Sequence, residues 1–173
     1  ISIPGATSAE LWQALLANPQ VKPVGLAARD SLRLEMGYPL YGHDLSEEIT
    51  PVEAALGWVM TKGHQGYFGT DILTSQLASG AKKKRVGLKL LENGIAREGA
   101  EIYAQGEKIG QLTSGGYSPS LKVAIGQGYV KTSFANEGTK VEVDVRGRKI
   151  PAVIHALSFL PAQTKPSILK KAS

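Results

Sequence analysis

Cysteine is absent from the 173-residue sequence. Its absence excludes disulfide bonds, thiolate metal sites and a cysteine nucleophile, and it fits a reducing compartment. Aromatic residues are also few, at 6% of the chain. Hydrophobic residues nevertheless make up 42% and charged residues 20%, which is typical of a folded globular protein rather than a disordered chain. A chain of this length can bury one medium core or two small ones.

Long apolar runs are missing too. No stretch approaches the roughly 20 apolar residues that span a bilayer as a helix, so we expect no membrane segment. The first residues, ISIPGATSAE, contain neither the basic region nor the apolar region of a signal peptide. The sequence does not begin with methionine, and it opens on Ile1 to Ile3, which are typical of a strand already under way. We therefore expect a truncated or processed chain.

Motifs for metal, nucleotide or nucleophilic chemistry are also missing. The three histidines, His43, His64 and His155, have no metal-ligand spacing, and no Asp or Glu completes an array with them. No Walker A sequence is present, and Gly126-Gln127-Gly128 lies in a β pattern that leads to no helix. The sequence therefore predicts no metal site and no Ser-His-Asp triad.

The charge balance is basic. Lys and Arg number 20 against 15 Asp and Glu, so the formal charge is +5 and the isoelectric point about 9.4. This favours nucleic acid, an acidic protein surface or a polyanionic cofactor tail as a partner, without choosing among them. The run from Lys82 to Arg85 is the strongest indication of nucleic-acid binding. Four like charges at a domain junction are more often a solvated linker, and no aromatic stacking platform accompanies them, so we do not favour nucleic-acid binding.

Helical periodicity dominates the first 80 residues. It predicts helices near residues 8–17, 27–36 and 70–79. In the first helix, Leu11, Ala14 and Leu15 form the expected apolar stripe. In the second, Ala28, Leu32 and Met36 recur at i, i+4 and i+8 and should form its buried side.

Two helix starts have the spacing of a capping box, in which a Thr is followed three residues later by a Glu. The first is Thr7 with Glu10. The second is Thr50-Pro51-Val52-Glu53, where proline at the first helical position also favours a helix. This second helix should be short, because Trp58-Val59-Met60 is typical of extended chain.

Period-two alternation replaces the helical pattern after residue 82. It predicts strands near 85–91, 100–104, 108–114, 122–130, 139–145 and 148–157. Gln105-Gly106 and Arg146-Gly147 indicate hairpin turns, Ser114-Gly115-Gly116 indicates another turn, and the tail after Phe159 should be irregular. Six short strands joined by hairpins favour a small antiparallel barrel or a jelly-roll-like domain. The predicted class is thus α+β, with a partial α/β region at 1–81 and a β-domain at 82–173.

Two arginines lie one helical turn apart in the second helix. For Arg33 a structural role is favoured, with Asp30 placed to pair with it and Glu35 able to balance charge nearby. Arg29 falls in the first turn, where the helix dipole disfavours a cation by about a few tenths of a kcal/mol. A planar guanidinium that faces a heterocycle or a carboxylate would explain it.

Aromatic residues follow these arginines in a loop broken by glycine and proline. Any one of Tyr38, Tyr41 and Trp58 is more often a core or rim residue. Together with Arg29 they could line a slot for a flat ring.

Three ordered stretches resemble one known family. They are ARDSLRLEMGYPLYGHDLSEEITPVEAALGW at 28–58, KRVGL at 84–88 and IGQLTSGGYSPSL at 109–121. Together they are similar to the glycine cleavage system T-protein, the folate-dependent aminomethyltransferase, and the match runs in register over essentially the whole chain. The resemblance implies that residues 1–81 are the C-terminal part of a folate-binding region and that residues 82–173 are the family's C-terminal β-barrel.

The resemblance also implies an activity, a cofactor and a partner. The family transfers an aminomethyl group from the lipoyl arm of H-protein to tetrahydrofolate, giving methylene-tetrahydrofolate and ammonia. Arg29 matches the family arginine that contacts folate, and Tyr38 matches a loop position near the cofactor. With Trp58 they are the predicted cofactor-binding residues. The family's functional aspartate and glutamate match positions upstream of Ile1, so no catalytic residue is expected here and this chain alone should be inactive.

Two alternative functions remain open. One is the folate-binding module of a sarcosine or dimethylglycine dehydrogenase, and the other is a free-standing basic β-barrel that binds nucleic acid or protein. For an aminomethyltransferase, the expected location is intracellular, which means the cytoplasm in a bacterium or the mitochondrial matrix in a eukaryote.

Overall fold

The computed structural model describes residues 1–60 and 66–161. Contacts divide the chain into two compact units, Ile1–Asp30 and Ser31–Ser173. Within the described residues, all α-helices precede Gly80 and all strands follow it, which confirms the α+β class, while the domain limits 1–81 and 82–173 stay a prediction. His64 and the tail from residue 162 onward lie outside the described residues. Among those described, no helix is long and apolar enough to cross a membrane.

The three predicted helices are confirmed to within one residue at each end. They are α1 (Ser8–Leu16), α2 (Leu26–Glu35) and α3 (Thr70–Ser79). Gly80 ends α3 with a left-handed φ of 85° and donates its N–H to the carbonyl of Gln76. Such a φ is open to glycine because it lacks a Cβ.

Two expectations for the first unit are wrong. Ile1 to Ile3 form no strand, and the Thr7 hydroxyl bonds the carbonyl of Pro4 instead of capping α1. A short 3-10 turn, Gly5–Thr7, precedes α1, and Thr7 is its last residue. None of the residues of α1 is buried, and Leu15 is 43% exposed.

The end of α2 is set by glycine. Gly37 has a φ of 67°, and the N–H of Tyr38 bonds the carbonyl of Arg33, which is the hydrogen-bond pattern of a Schellman motif. The predicted buried side is wrong: Leu32 is 63% exposed, whereas Leu34 and Glu35 are buried. Spacing alone could not identify the side that meets the barrel.

The predicted helix at Thr50 is also wrong, although its capping box is present. The N–H of Thr50 bonds the Glu53 carboxylate at 3.1 Å, and the N–H of Glu53 bonds the Thr50 hydroxyl at 3.1 Å. Ala55 then adopts a left-handed φ of 56°, so the chain makes a single turn and no α-helix. Trp58 lies in a 3-10 turn, Gly57–Val59, and not in extended chain.

The second half of the chain forms a closed antiparallel barrel. Its strands are β1 (Lys83–Leu90), β2 (Glu101–Ala104), β3 (Glu107–Ser118), β4 (Val123–Lys131), β5 (Lys140–Val145) and β6 (Arg148–His155). They pair in the order β1-β4-β3-β2-β5-β6, and β6 returns to β1. The predicted antiparallel barrel is confirmed. The hairpins at Gln105-Gly106 and Arg146-Gly147 are confirmed as well, since both residues of each turn have positive φ, as a type I′ turn requires.

Apolar side chains of all six strands fill the inside of the barrel. The most deeply buried include Leu88, Ile102, Leu112, Val130, Val143, Ile150 and Ile154. Burial of a side chain of this size stabilises the fold by about 1.5–3 kcal/mol. The barrel therefore holds the main core of the second unit.

The turn predicted at Ser114-Gly115-Gly116 is wrong, because these residues continue β3 as far as Ser118. A bulge between Leu112 and Ser114 shifts the register. A Cβ on Gly115 would come within 2.4 Å of the carbonyl oxygen of Ala96. Glycine is needed here for close backbone packing inside a strand and not for a turn.

One outer side of the barrel is covered by residues from before and after it in the chain. Strand β4 is buried on both of its faces. Its inner residues face the barrel core, while Leu34 of α2 packs with Ile125 and Phe159 in a separate cluster on the other side. This covering brings the loop after α2 onto β3 and β4, where the candidate site lies.

Candidate functional site

The predicted folate-binding residues all present their side chains to solvent. Arg29 lies in the first turn of α2 and is exposed. Tyr38 follows the glycine that ends this helix and is 55% exposed, and Trp58 is 81% exposed. No ring contact joins Tyr38 to Trp58 within the described residues. Their contact with folate, and that of Arg29, stays a prediction.

A buried carboxylate fixes the loop that carries Tyr38. Asp44 is 1% exposed, and its Oδ2 accepts hydrogen bonds from Arg33 Nη1 at 2.7 Å, Gln127 Nε2 at 2.7 Å and the N–H of Leu40 at 2.9 Å. Its Oδ1 accepts from two hydroxyls of β3, Thr113 at 2.5 Å and Ser114 at 2.8 Å. All five of these groups donate, and together they occupy the acceptor sites of the carboxylate.

Arg33 has the structural role that the sequence favours, and the structure adds an ion pair that the sequence did not indicate. Its guanidinium pairs with Asp44, and its Nη2 donates to the hydroxyl of Ser114 at 3.0 Å. The Arg33 side chain is 12% exposed and that of Asp44 is fully buried. The pair links the last turn of α2 to both the loop and the barrel.

Arg85 contradicts the prediction that the basic run is a solvated linker. It is 2% exposed and lies in β1, with Nε donating to the carbonyl of Ala54 at 2.9 Å and Nη1 to that of Gly37 at 3.0 Å. The same Nη1 donates to Gln127 Oε1 at 2.9 Å. Burial lowers the pKa of Arg85, and attraction to Tyr129 and Asp44 offsets only part of this. The basic run is the start of β1, and Arg85 binds the segment that precedes the barrel through the carbonyls of Gly37 and Ala54.

Tyr129 joins the loop from the barrel side. Its hydroxyl donates to the main-chain carbonyl of Asp44 at 2.8 Å. Burial raises the pKa of Tyr129 to about 12, so the hydroxyl remains a donor at neutral pH. Lys83 Nζ lies 5.5 Å from the centre of the tyrosine ring, within the range of a cation–π contact.

A second buried carboxylate ties α2 to the connection between β3 and β4. The sequence suggests that Glu35 balances charge near Arg33, but its carboxylate is 2% exposed and is bound by serines. Its oxygens accept from the Ser118 hydroxyl at 2.5 Å, the Ser120 N–H at 3.0 Å and the Ser120 hydroxyl at 2.8 Å. Burial raises the pKa of Glu35, yet these hydrogen bonds outweigh it and leave the pKa below its ordinary value.

These polar groups form one scaffold, which we call the loop clamp and define as Arg33, Asp44, Arg85, Gln127 and Tyr129. In the described part of the chain, no buried side-chain nitrogen or oxygen lacks a hydrogen-bond partner. The clamp is therefore fully satisfied by the protein itself. Its function is to hold the chain between Gly37 and Asp44 in one conformation, with the ring of Tyr38 outward.

Sequence reasoning missed the clamp, although one signal was available. Gln127 is a polar residue in the middle of an otherwise apolar strand, on the same side of β4 as Ile125 and Tyr129. A central strand with a buried amide needs a polar partner from elsewhere. Asp44, placed between turn residues, gave no comparable signal.

The fold and the clamp together define a barrel module that presents a rigidly held loop with exposed aromatic side chains. Among residues 1–60 and 66–161, no group of three or more His, Asp or Glu residues is arranged to hold a metal ion. The model for the GCVT N-terminal domain matches residues 1–64, and that for the glycine cleavage T-protein C-terminal barrel domain matches residues 83–160. The chain belongs to the glycine cleavage T-protein family.

Individual relatives agree with this family. An aminomethyltransferase of Phocaeicola vulgatus is 47% identical over 155 residues, which cover 86% of this chain and 43% of that protein. An aminomethyltransferase of a Geobacillus species is 42% identical over 153 residues, which cover 86% of this chain and 42% of that protein. The crystal structure of the glycine cleavage system aminomethyltransferase T from Bartonella henselae matches with a TM-score of 0.84 and 38% identity, over 91% of this chain and 45% of that one. The chain thus spans less than half the length of these relatives.

Proposed function

We propose that the protein to which this chain belongs is the tetrahydrofolate-dependent aminomethyltransferase of the glycine cleavage system. It takes the aminomethyl group from the lipoyl arm of H-protein and gives methylene-tetrahydrofolate and ammonia. The observation that carries the proposal is the presence of both family regions, in order, on a chain that superimposes on a solved aminomethyltransferase with a TM-score of 0.84 at 38% identity. Relatives named aminomethyltransferase at 42% to 47% identity support the same activity.

The exposed groups of this chain suit tetrahydrofolate, and the buried ones do not. The buried polar atoms of the loop clamp already make hydrogen bonds within the protein, so they could bind a ligand only if those hydrogen bonds were broken. Tyr38 and Trp58 offer aromatic faces to a flat pterin ring, and Arg29 offers a planar fork to an anionic group. When bound, tetrahydrofolate supplies the nitrogens that accept the one-carbon unit.

In this proposal the chain positions the cofactor and does not carry out the proton transfers. Asp44 and Arg85 hold the loop of Tyr38, and a ring fixed before binding loses less entropy when the ligand arrives. The carboxylates that the family uses near the reacting nitrogens and on the pterin match positions upstream of Ile1. We therefore propose that the 173 residues alone transfer no aminomethyl group.

The test of the activity is reconstitution. The chain is mixed with a separately made N-terminal half, lipoylated H-protein carrying the aminomethyl group, and tetrahydrofolate, and ammonia release is measured. We expect turnover only when both halves are present, because loss of one positioned group commonly costs about a hundredfold or more in rate and here several are absent together. Equal turnover without the N-terminal half would contradict the proposed inactivity of this chain. No turnover from a complex shown to assemble would contradict the activity itself.

The test of the folate site is a substitution at Arg29 in the whole protein. Arg29→Lys keeps the charge but replaces a planar fork by a point charge, so we expect weaker tetrahydrofolate binding in a fluorescence titration. Arg146→Lys, in the exposed hairpin between β5 and β6, is the matched control and should leave the affinity unchanged. If Arg29→Lys binds as tightly as the control, the role of Arg29 is limited to its charge.

A further inference from the structure

A short connection between β1 and β2 carries the dipeptide Asn93-Gly94. Asn93 is exposed, and the connection lines a groove of about 610 Å³ together with Ile95 and Arg148. Asparagine followed by glycine is the pair most prone to cyclise, because glycine leaves its own main-chain nitrogen unhindered. The proposed function uses neither of these two residues.

The glycine of this pair is required by packing. A Cβ on Gly94 would lie 2.2 Å from the Cδ1 atom of Ile150, a core residue that is 2% exposed. A larger residue here would have to displace a buried side chain, at a cost typical of overpacking. The fold therefore retains the unhindered nitrogen next to Asn93.

The two groups that would cyclise, the side-chain amide of Asn93 and the main-chain nitrogen of Gly94, are both free of hydrogen bonds among the described residues. The side chain can therefore rotate, and the main-chain nitrogen can approach it, without breaking a hydrogen bond. The main-chain carbonyl of Asn93, in contrast, is engaged.

That carbonyl accepts a hydrogen bond from a cation. Arg148 Nη2 donates to Asn93 O at 3.3 Å, and the same nitrogen lies 3.5 Å from Glu92 Oε2. Asn93 O and Gly94 N belong to one peptide group and share its delocalised electrons. A positive donor on the oxygen stabilises the peptide group when its nitrogen loses a proton, and so it makes this nitrogen a better nucleophile.

We propose that Asn93 is a site of spontaneous deamidation and that Arg148 promotes the reaction. Gly94 N loses its proton to solvent and attacks Asn93 Cγ; the N–Cγ bond forms, the Cγ–Nδ2 bond breaks, and the leaving nitrogen takes up a proton and departs as ammonia. The product is a cyclic succinimide. Water then adds to either of its carbonyls and opens it to aspartate or isoaspartate.

Either product changes this surface. Aspartate at position 93 adds a carboxylate beside Glu92 and competes with it for Arg148. Isoaspartate adds one carbon to the main chain immediately before Gly94, whose close contact with Ile150 sets the path of the connection. We expect Ile95, which is 41% exposed in the groove, to shift in the isoaspartate form.

The other asparagines serve as internal controls. Asn136 is exposed as well but precedes Glu137, whose side chain hinders attack by its main-chain nitrogen. Asn18 precedes Pro19, which has no N–H to give up. The full chain is held at mildly alkaline pH, and peptides are analysed at intervals by mass spectrometry and by enzymatic methylation of isoaspartate. Deamidation should be several-fold faster at Asn93 than at Asn136, and an equal or lower rate at Asn93 would overturn the proposal.

A second comparison separates the effect of the folded structure on the deamidation rate from the effect of the Asn-Gly sequence itself. Arg148→Gln should slow deamidation of the folded chain about fivefold, which corresponds to about 1 kcal/mol of barrier. Arg146→Gln is the matched control and should have no effect; glutamine already occupies the same kind of turn position at Gln105, with a φ of 53° against 58° at Arg146. In concentrated urea both variants should react at the rate of the original chain. An unchanged rate in folded Arg148→Gln, or the same decrease in urea, would overturn the role of Arg148 and with it the proposal.

Discussion

The loop clamp makes a quantitative prediction about Asp44→Asn. The substitution keeps the shape of the side chain but removes its charge and replaces one acceptor oxygen by a donor. All five groups around the carboxylate donate to it, and the three on Oδ2, from Arg33, the Leu40 N–H and Gln127 Nε2, cannot accept a hydrogen bond from an amide nitrogen. Arg33, with a side chain that is 12% exposed, loses its ion pair with Asp44.

The size of the effect follows from burial. Breaking a buried ion pair by removing one partner costs about 3–5 kcal/mol. The lower end applies here, because the Thr113 and Ser114 hydroxyls can rotate to accept hydrogen bonds from the amide. We therefore expect Asp44→Asn to lower the free energy of unfolding by about 3 kcal/mol, a large part of the roughly 5–15 kcal/mol of a typical domain.

The assay is urea unfolding at pH 7, followed by far-ultraviolet circular dichroism and by fluorescence. Asp71→Asn is the matched control, because this aspartate lies exposed in the first turn of α3 and its charge adds only about 0.3–1 kcal/mol. If Asp44→Asn destabilises the protein no more than Asp71→Asn does, the carboxylate is not holding the loop and the reasoning fails.

Three further predictions test neighbouring features. Because the pKa of Glu35 is lowered in the fold, its carboxylate stabilises the protein above pH 4.5, and this stabilisation is lost as the pH falls through the lower folded pKa. Between pH 7 and pH 3, Glu35→Gln should therefore lose less stability than the original chain, as measured by urea titrations. Tyr129 should ionise near pH 12 in a spectroscopic titration, a step that Tyr129→Phe must abolish, and an ordinary value near 10 would contradict its burial. Gly37→Ala should cost about 2 kcal/mol or more, since φ is 67° and a Cβ would lie 1.8 Å from Leu157 O, whereas Gly42→Ala, also at positive φ but with open space, should cost less.

Local features were determined by the sequence alone. The limits of α1, α2 and α3 follow from periodicity and from glycine stops, and both type I′ hairpins follow from their two turn residues. These features depend on interactions between residues that are close in the sequence, so the rest of the fold does not change them. Ordered stretches such as IGQLTSGGYSPSL also indicated the family, because long matches in register are specific where single motifs are not.

Local patterns failed where a long-range contact competes with them. The capping box at Thr50 forms, yet the chain makes one turn and leaves the helix, as the left-handed Ala55 turns it away. The Ser114-Gly115-Gly116 stretch resembles a turn but lies in a long strand, since its glycines permit contact with the backbone of Ala96. The neighbours of both stretches are distant in the chain: Arg85 donates to the carbonyls of Glu53 and Ala54, and Gly115 packs against Ala96.

Only the tertiary structure decided which polar residues are buried. Asp44 and Gln127 are 83 residues apart in the chain, and nothing local distinguishes the aspartate from a solvated loop residue or Arg85 from the lysines before it. Closure of the barrel and the covering of β4 bring them together, and a desolvated charge is stable only when such partners surround it. The sequence could indicate that Tyr38 lies in a loop, but the fold alone determines that this loop is clamped.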